Sequence, residues 1–208
     1  MRGKVITFLG SPSSGKTTLA KRLADHYRAV LLLEEPLDGF PPEIQKALAT
    51  KTHMFETEVW FRNRLMDLYD RALSVKPGFN VVIDSSPIYQ PQFYVGNFDI
   101  DDFYKNILYR IGERDAEALP PADCTIYIET NQEMMEKFLE KRKGQWPWEE
   151  NEEWRKFLLQ MPLHCAAIMD KIEHKIPNLV KLKRDEFDLD ISGDLERIIG
   201  KVDEVLRK

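Results

Sequence analysis

Short, continuous apolar runs alternate along this chain with longer segments in which apolar residues recur at helical spacing. The runs lie at residues 4–9, 30–33, 81–83, 125–128 and, more weakly, 179–182. The helical patterns cover about 16–27, 43–50, 53–75, 101–112, 131–142, 150–175 and 193–207. Continuous apolar runs are typical of strands buried on both faces, and strands that alternate with helices indicate a parallel sheet. The pattern therefore predicts an α/β fold with helices on both faces of the sheet.

Composition narrows the class of protein without identifying it. The chain has 208 residues, 43% of them hydrophobic, so we expect one domain over 1–208. A net charge of −5 argues against nucleic acid or an anionic membrane as the main partner. No apolar run approaches the roughly 20 residues that span a bilayer, and the N-terminus leads directly into the first strand, which argues against a signal peptide. Cys124 and Cys165 lie among apolar residues and are expected to be buried free thiols, as in a cytoplasmic protein.

The strongest chemical signal follows the first predicted strand. Residues 10–17 read G-x-x-x-x-G-K-[ST], the phosphate-binding P-loop (Walker A motif), and a helical pattern begins directly after it. Gly10 and Gly15 allow backbone conformations in which the loop's N–H groups converge on phosphate oxygens. We expect Lys16 to reach the β- and γ-phosphates and the Thr17 hydroxyl to bind Mg²⁺. The expected nucleotide-binding residues are Gly10, Ser13, Ser14, Gly15, Lys16, Thr17 and Thr18.

Acidic residues follow the next two predicted strands. Because ligands of parallel sheets bind beyond the carboxyl ends of the strands, we expect these residues to meet the P-loop. Neighbouring side chains of an extended segment point apart, so only one of Glu34 and Glu35 should face the site. We favour Glu35, which the following proline holds extended, as the base that accepts a hydroxyl proton; the alternative is that both acids are solvated. Asp84 is predicted to hold Mg²⁺, with a turn-capping aspartate as the alternative.

Two further segments carry candidate functional groups. Residues 141–143 are Lys-Arg-Lys, and the Gly- and Pro-containing segment after them predicts a mobile lid at about 141–151. Arg142 would stabilise the charge of a transferring phosphoryl group, unless these cations only complement a helix C-terminus. In the helix at 53–75, polar and aromatic residues would face a phosphate acceptor, unless that helix is a plain surface helix. The acceptor candidates are Glu56, Glu58, Trp60, Arg64 and, outside this helix, Ser85.

Taken in order, these motifs resemble the deoxynucleoside kinase family of P-loop kinases. The corresponding stretches are 10–17, 35–36, 55–64, 84–86, 122–128 and 141–150. The resemblance implies a three-layer α/β/α fold with a five-stranded parallel sheet in the order 2-3-1-4-5. It also implies transfer of the γ-phosphate of ATP to a nucleoside 5′-hydroxyl. By position, Glu35 matches the family's general base, Asp84 its acid near magnesium, and Arg142 a lid arginine.

The chain departs from the family in its acceptor half. Ser85 stands where the family has an arginine, and the lid has one arginine between Lys141 and Lys143. Glu56 or Glu58 stands where the family reads the base with a glutamine. A glutamine both donates and accepts hydrogen bonds, whereas a carboxylate only accepts them.

The leading hypothesis is a kinase that uses ATP and Mg²⁺ to phosphorylate a small acceptor, with a (deoxy)nucleoside first. The alternatives are a kinase for a nucleoside monophosphate or another metabolite, and a non-kinase P-loop protein that binds or hydrolyses nucleoside triphosphates. The Asn-Lys-x-Asp guanine motif of GTPases is absent from the sequence. The choice between ATP and GTP and the formation of a homodimer stay open.

Overall fold

Five parallel strands form the sheet in the described part of this computed structural model. They are β1 (Val5–Gly10), β2 (Val30–Leu33), β3 (Val81–Asp84), β4 (Cys124–Glu129) and β5 (Leu179–Lys183). Their order is β2-β3-β1-β4-β5, which confirms the predicted topology. The structure describes residues 3–34, 36, 39–95, 98, 100–141, 144 and 151–207.

Helices connect the strands and cover both faces of the sheet. Their bounds are α1 (Lys16–Tyr27), α2 (Pro42–Thr50), α3 (Met54–Val75), α4 (Gln90–Val95), α5 (Asp102–Ala118), α6 (Gln132–Lys141), α7 (Glu152–Ile172) and α8 (Ser192–Leu206). The pattern did not predict α4, because this six-residue helix is almost entirely buried and has no polar face to produce a helical period. Helix α5 runs further than predicted, through polar residues that are good helix formers.

Alternate residues of β1 enter hydrophobic cores on opposite faces of the sheet, one core on one face and two on the other. Ile6 and Phe8 pack in one core with Leu19 and Leu23 of α1 and with the buried residues of α8. Val5 packs in another core with the buried residues of α3. Leu9 lies in a third, with the buried face of α7. Strand residues alternate between faces, so this separation produces the three-layer arrangement.

A further apolar cluster joins α2, α3, α6 and α7. Trp154 lies in this cluster, and its indole Nε1–H donates to the carbonyl oxygen of Leu48 at 2.8 Å. This bond ties the start of α7, which follows the segment predicted as a lid, to the end of α2. Cys124 and Cys165 are buried free thiols, as predicted. None of the helices in the described ranges is long and apolar enough to cross a membrane.

Candidate active site

The P-loop connects β1 to α1 and has a backbone that glycine permits. Gly10 has φ +141° and Gly15 has φ +93°, both in the region that side chains rarely adopt. A Cβ at Gly10 would lie 2.6 Å from the carbonyl oxygen of Ile128, so the loop is also too close to β4 for a side chain there. Helix α1 begins at Lys16 without a side-chain cap, which leaves its first N–H groups available to an anion.

Side chains of the loop present hydrogen-bonding groups to the same space. Lys16 Nζ donates to the carbonyl oxygens of Gly10 at 3.0 Å and Ser11 at 2.8 Å, which folds the ammonium over the loop. The hydroxyls of Ser11, Ser13 and Ser14 are buried and have no hydrogen-bond partner among the described residues. Buried polar groups normally have partners, and phosphate oxygens would supply them here. The loop therefore fits the triphosphate that the sequence predicts.

Thr17 and Asp84 meet beside the loop and fit a magnesium ion. The Thr17 hydroxyl donates a hydrogen bond to Asp84 Oδ2. Asp84 is 5% exposed, and its buried Oδ1 has no hydrogen-bond partner within the described residues. No cluster of three histidine, cysteine or acidic side chains suited to a metal occurs in the described ranges. Mg²⁺ is usually bound by one or two protein oxygens together with phosphates and water, so the pair fits this ion.

Glu34 lies at the same edge of the sheet, although the sequence analysis did not select it. Its backbone N–H donates to the carbonyl oxygen of Asp84 at 3.0 Å, and its Oε1 accepts a hydrogen bond from Ser85 Oγ at 2.6 Å. Glu34 as a whole residue is exposed, but burial of its carboxyl group raises its pKa, and the charge of Asp84 raises it further. The Ser85 hydrogen bond and the charge of Lys16 act in the opposite direction on this pKa.

The alternation of side chains along an extended segment could have identified Glu34. This residue lies two positions after buried Leu32, so the two side chains point to the same face of the sheet. Glu35, the predicted base, lies outside the described residues, and so do Arg142, Trp146 and Trp148 of the predicted lid. The roles proposed for Glu35 and Arg142 therefore stay predictions.

Helix α3 carries a buried carboxyl group at Glu58. This residue is 3% exposed, and its Oε2 accepts a hydrogen bond from Gln90 Nε2 at 3.2 Å. Burial, with a smaller contribution from the charge of Glu34, raises the pKa of Glu58 to about 8, against the opposing effect of Gln90. The group is therefore mostly protonated at neutral pH, and a protonated carboxyl both donates and accepts hydrogen bonds. Protonated Glu58 therefore has the hydrogen-bond donor that a carboxylate lacks.

The other acceptor candidates on α3, Glu56, Trp60 and Arg64, lie four residues apart and so share one face of the helix, which is not the face of Glu58. Trp60 and Arg64 line a cleft that starts at Glu34. The remaining lining residues are Leu33, Phe40, Phe61, Leu65 and Leu68. The Trp60 ring is 5.1 Å from that of Phe40, so the cleft has an aromatic wall. Glu56 is exposed, and an offset of two residues, about 200° around a helix, separates it from Glu58. Its predicted acceptor role stays a prediction.

Helix α4, which the sequence pattern missed, supplies two further groups. Gln90 pairs with Glu58, and its amide Oε1 is buried with no hydrogen-bond partner in the described part of the chain. The Tyr94 hydroxyl donates to the carbonyl oxygen of Gly10 at 3.3 Å. Burial, followed by the charge of Glu34, raises the pKa of Tyr94 well above its usual value, so the phenol stays neutral. Helix α4 thus connects the P-loop to the buried carboxyl.

Arg184 follows β5, which forms the other edge of the sheet from β2, and its side chain lies against the P-loop. A Cβ at Gly15 would be 3.4 Å from Arg184 Nε, so the side chain packs directly on the loop. Its guanidinium carbon is 5.0 Å from the centre of the Phe138 ring and 4.7 Å from that of Phe187. Burial lowers the pKa of this arginine, although nearby acids oppose the shift. The apolar pattern of β5 is weak, and it did not indicate that a cation would lie beside the P-loop.

Solved structures with similar folds include two nucleoside or nucleotide kinases. Deoxyadenosine kinase from M. mycoides with bound dCTP matches with a TM-score of 0.74 at 14% identity, over 96% of this chain and 99% of that chain. The same enzyme with bound dATP matches with a TM-score of 0.71 at 15% identity, over 96% and 99%. Thymidylate kinase from Candida albicans matches with a TM-score of 0.64 at 18% identity, over 99% of this chain and 94% of that chain. At these identities, the likeness shows that the fold is shared.

A comparison of the sequence with protein-family models gives a match over most of the chain. No curated protein matches the chain. A family model described as an AAA domain matches residues 5–156, which include the P-loop, Asp84 and the cleft residues of α3. Because the match covers well over half of the chain, this protein belongs to the AAA domain family, with a P-loop kinase fold of the deoxynucleoside kinase type.

Proposed function

We propose that this protein is an ATP-dependent phosphotransferase that moves the γ-phosphate to a hydroxyl of a small acceptor, with a (deoxy)nucleoside as the first candidate. The observation that carries the proposal is a connected set of contacts from the P-loop to the cleft. Thr17 bonds to Asp84, and the next residue, Ser85, bonds to Glu34, which lines the cleft. A donor phosphate on the loop and an acceptor in the cleft would therefore lie side by side.

The chain's own groups suit an in-line displacement at phosphorus. The acceptor oxygen forms a bond to the γ-phosphorus, the bond to the bridging β-oxygen breaks, and its electron pair leaves with the nucleoside diphosphate. Lys16 would stabilise charge on the phosphates, and Arg142 is the cation that the sequence predicts for the lid. A carboxylate at the end of β2 would accept the hydroxyl proton, and the family pattern assigns this to Glu35. Mg²⁺ held by Thr17 and Asp84 would neutralise phosphate charge.

Two observations favour a nucleoside as the acceptor. The cleft has an aromatic wall at Trp60 and Phe40, against which a planar base can pack. Protonated Glu58 and Gln90 do not line this cleft, but Glu58 lies near enough to Glu34 to feel its charge, and the pair offers both donors and acceptors, which a neutral base edge requires. Deoxyadenosine kinase, a structural neighbour, is named for such an acceptor.

A nucleoside monophosphate is the second candidate. Arg64 lines the same cleft, and an arginine there would suit a phosphate on the acceptor. Thymidylate kinase, another structural neighbour, is named for a nucleoside monophosphate.

The test is a transfer assay on the purified full chain. ATP and Mg²⁺ are incubated with each common ribonucleoside, deoxynucleoside and corresponding monophosphate, and products are separated by liquid chromatography and mass spectrometry. We expect a nucleoside to gain one phosphate. Transfer to monophosphates alone would select the second candidate, whereas no transfer to any of these acceptors would contradict the proposal. Lys16→Met, which removes the P-loop ammonium, controls for a contaminating kinase.

A further inference from the structure

Resting on the nucleoside triphosphate donor of the proposed function, we infer that Arg184 binds this donor: its guanidinium donates hydrogen bonds to the phosphates that the P-loop holds. Arg184 is then a fixed cation of the main fold, separate from Arg142, the single arginine of the segment predicted as a lid. Four features of the described residues support this assignment.

The first feature is the position of Arg184 against the P-loop. Its Nε lies 3.4 Å, and its Cδ 3.9 Å, from the place that a Cβ of Gly15 would occupy. Gly15 directly precedes Lys16, the first residue of α1, so the guanidinium lies beside backbone N–H groups of the kind that bind phosphate oxygens. Strand β5 ends at Lys183, one residue earlier, and so brings the cation to this edge of the sheet.

The second feature is the set of hydrogen-bond donors that Arg184 has left for a ligand. Its Nη1 donates to the carbonyl oxygen of Phe187 at 2.5 Å, whereas its buried Nε has no hydrogen-bond partner among the described residues. Nε and Nη2 lie on the same edge of the guanidinium and form a fork that can bind two oxygens of one phosphate. A phosphate at the P-loop would therefore satisfy the buried donor.

The third feature is the absence of a carboxylate bonded to this cation in the part of the chain that the structure describes. Asp188 and Asp190 act on Arg184 through their charges, without a hydrogen bond. Asp190 instead forms an ion pair with Arg22 at 3.7 Å. Burial lowers the pKa of Arg184, which shows that its charge is partly removed from water. An anion beside such a charge is bound more strongly than it would be in bulk water.

The fourth feature is the way in which two aromatic rings hold the guanidinium. Its central carbon lies 5.0 Å from the centre of the Phe138 ring and 4.7 Å from that of Phe187. Phe138 belongs to α6 and Phe187 follows β5, so two separate elements contribute to the contact. These cation–π contacts fix the side chain before a nucleotide arrives, which reduces the ordering cost of binding.

Arg197 provides a matched arginine in the same region that has only structural partners. Its Nη2 donates to the carbonyl oxygen of Glu186 at 2.6 Å, and it forms an ion pair with Asp194 at 3.1 Å. Both arginines thus donate to a carbonyl oxygen of the segment after β5, but only Arg197 also has an acid partner among the described residues. Arg197 is therefore the control for the loss of an arginine from this segment.

The experiment measures the affinity of the full chain for ADP with Mg²⁺ by isothermal titration calorimetry. Arg184→Met removes the guanidinium and keeps an unbranched side chain. We expect it to lower the affinity for ADP by about 10- to 100-fold, which is the loss expected for a hydrogen bond to a charged group. Arg197→Met should leave this affinity unchanged. Arg184→Lys keeps the charge without the fork, so its affinity should lie between those of the wild type and Arg184→Met.

Tripolyphosphate separates a contact with phosphate from a contact with the base or the sugar. In competition with ADP, its affinity should fall in Arg184→Met by the same factor as that of ADP. Thermal unfolding without nucleotide shows whether each variant folds, and Arg184→Lys carries the test if Arg184→Met does not fold.

A further variant tests whether the α6 ring positions the guanidinium. Phe138→Leu should lower the affinity for ADP by about 2- to 5-fold, because one cation–π contact is lost. The same substitution in an Arg184→Met background should have no further effect, since the two residues act through one contact. An equal loss in both backgrounds would remove the positioning role of Phe138.

Three results would overturn the inference. A folded Arg184→Met whose affinity for ADP stays within about threefold of the wild type excludes the contact, and so does an equal loss in Arg197→Met. A loss for ADP with unchanged affinity for tripolyphosphate assigns Arg184 to the base or the sugar. A wild type that binds neither ATP nor ADP rejects the donor of the proposed function together with this inference, whereas a wild type that binds both without transferring phosphate rejects the proposed function alone.

Discussion

Replacing Glu58 by glutamine should make the protein's stability less dependent on pH. Glu58 is 3% exposed, and burial raises its pKa from an ordinary 4.5 to about 8. Between these two values the folded state keeps the proton while the unfolded state has released it. The unfolded state then binds fewer protons, so the free energy of unfolding falls as pH rises. Glu58→Gln keeps the size of the side chain and removes this titration.

The size of the effect follows from the two pKa values. Each pH unit between them costs the wild type about 1.4 kcal/mol relative to the variant. At pH 7 the accumulated difference is about 3 kcal/mol, and above pH 8 it levels off at about 5 kcal/mol. The gap between the variant and the wild type should therefore be smallest near pH 5 and widen towards pH 8.

Urea unfolding at pH 5, 6, 7 and 8 measures this gap. Glu56→Gln is the matched control: it makes the same substitution two residues earlier on α3, at an exposed position. The free energy of unfolding of this control should change with pH in the same way as that of the wild type. Parallel curves for the wild type and Glu58→Gln would refute the reasoning, because they would mean that Glu58 titrates alike in the folded and unfolded states.

Three further substitutions have defined outcomes. Gly10→Ala places a Cβ 2.6 Å from the Ile128 carbonyl oxygen at φ +141°, so ATP affinity measured by calorimetry should fall at least tenfold; unchanged affinity would contradict the loop geometry. Lys16→Ala should lower phosphate transfer by about 100-fold or more in the chromatographic assay, and near-normal transfer would exclude its phosphate role. Arg62→Ala leaves the carboxylate of Asp115, 6% exposed, without the Arg62 Nε that donates to it at 2.7 Å. We expect a cost of about 3–5 kcal/mol in urea unfolding, and a cost below about 1 kcal/mol would refute this.

The strands and the P-loop were predictable because their signals are local. A strand buried on both faces is apolar throughout, and the P-loop motif is contiguous in sequence, so residues 10–17 needed no knowledge of distant contacts. The convergence of β2 and β3 at the P-loop edge followed from the rule for parallel sheets. Helix α4 was missed because burial on nearly all sides leaves no helical period in its sequence.

The sequence by itself determined the donor half of the site, the order in which candidate groups reach the sheet edge, and the two acids at the end of β2. Only the tertiary structure decided which described side chains meet there. Ser85 lies 51 residues from Glu34 in the chain, and Gln90 lies 32 residues from Glu58. The direction of a carboxylate and the pKa that burial gives it depend on contacts between segments that are far apart in sequence. No local pattern contains that information, whereas hydrophobic periodicity and the P-loop motif depend on neighbours along the chain.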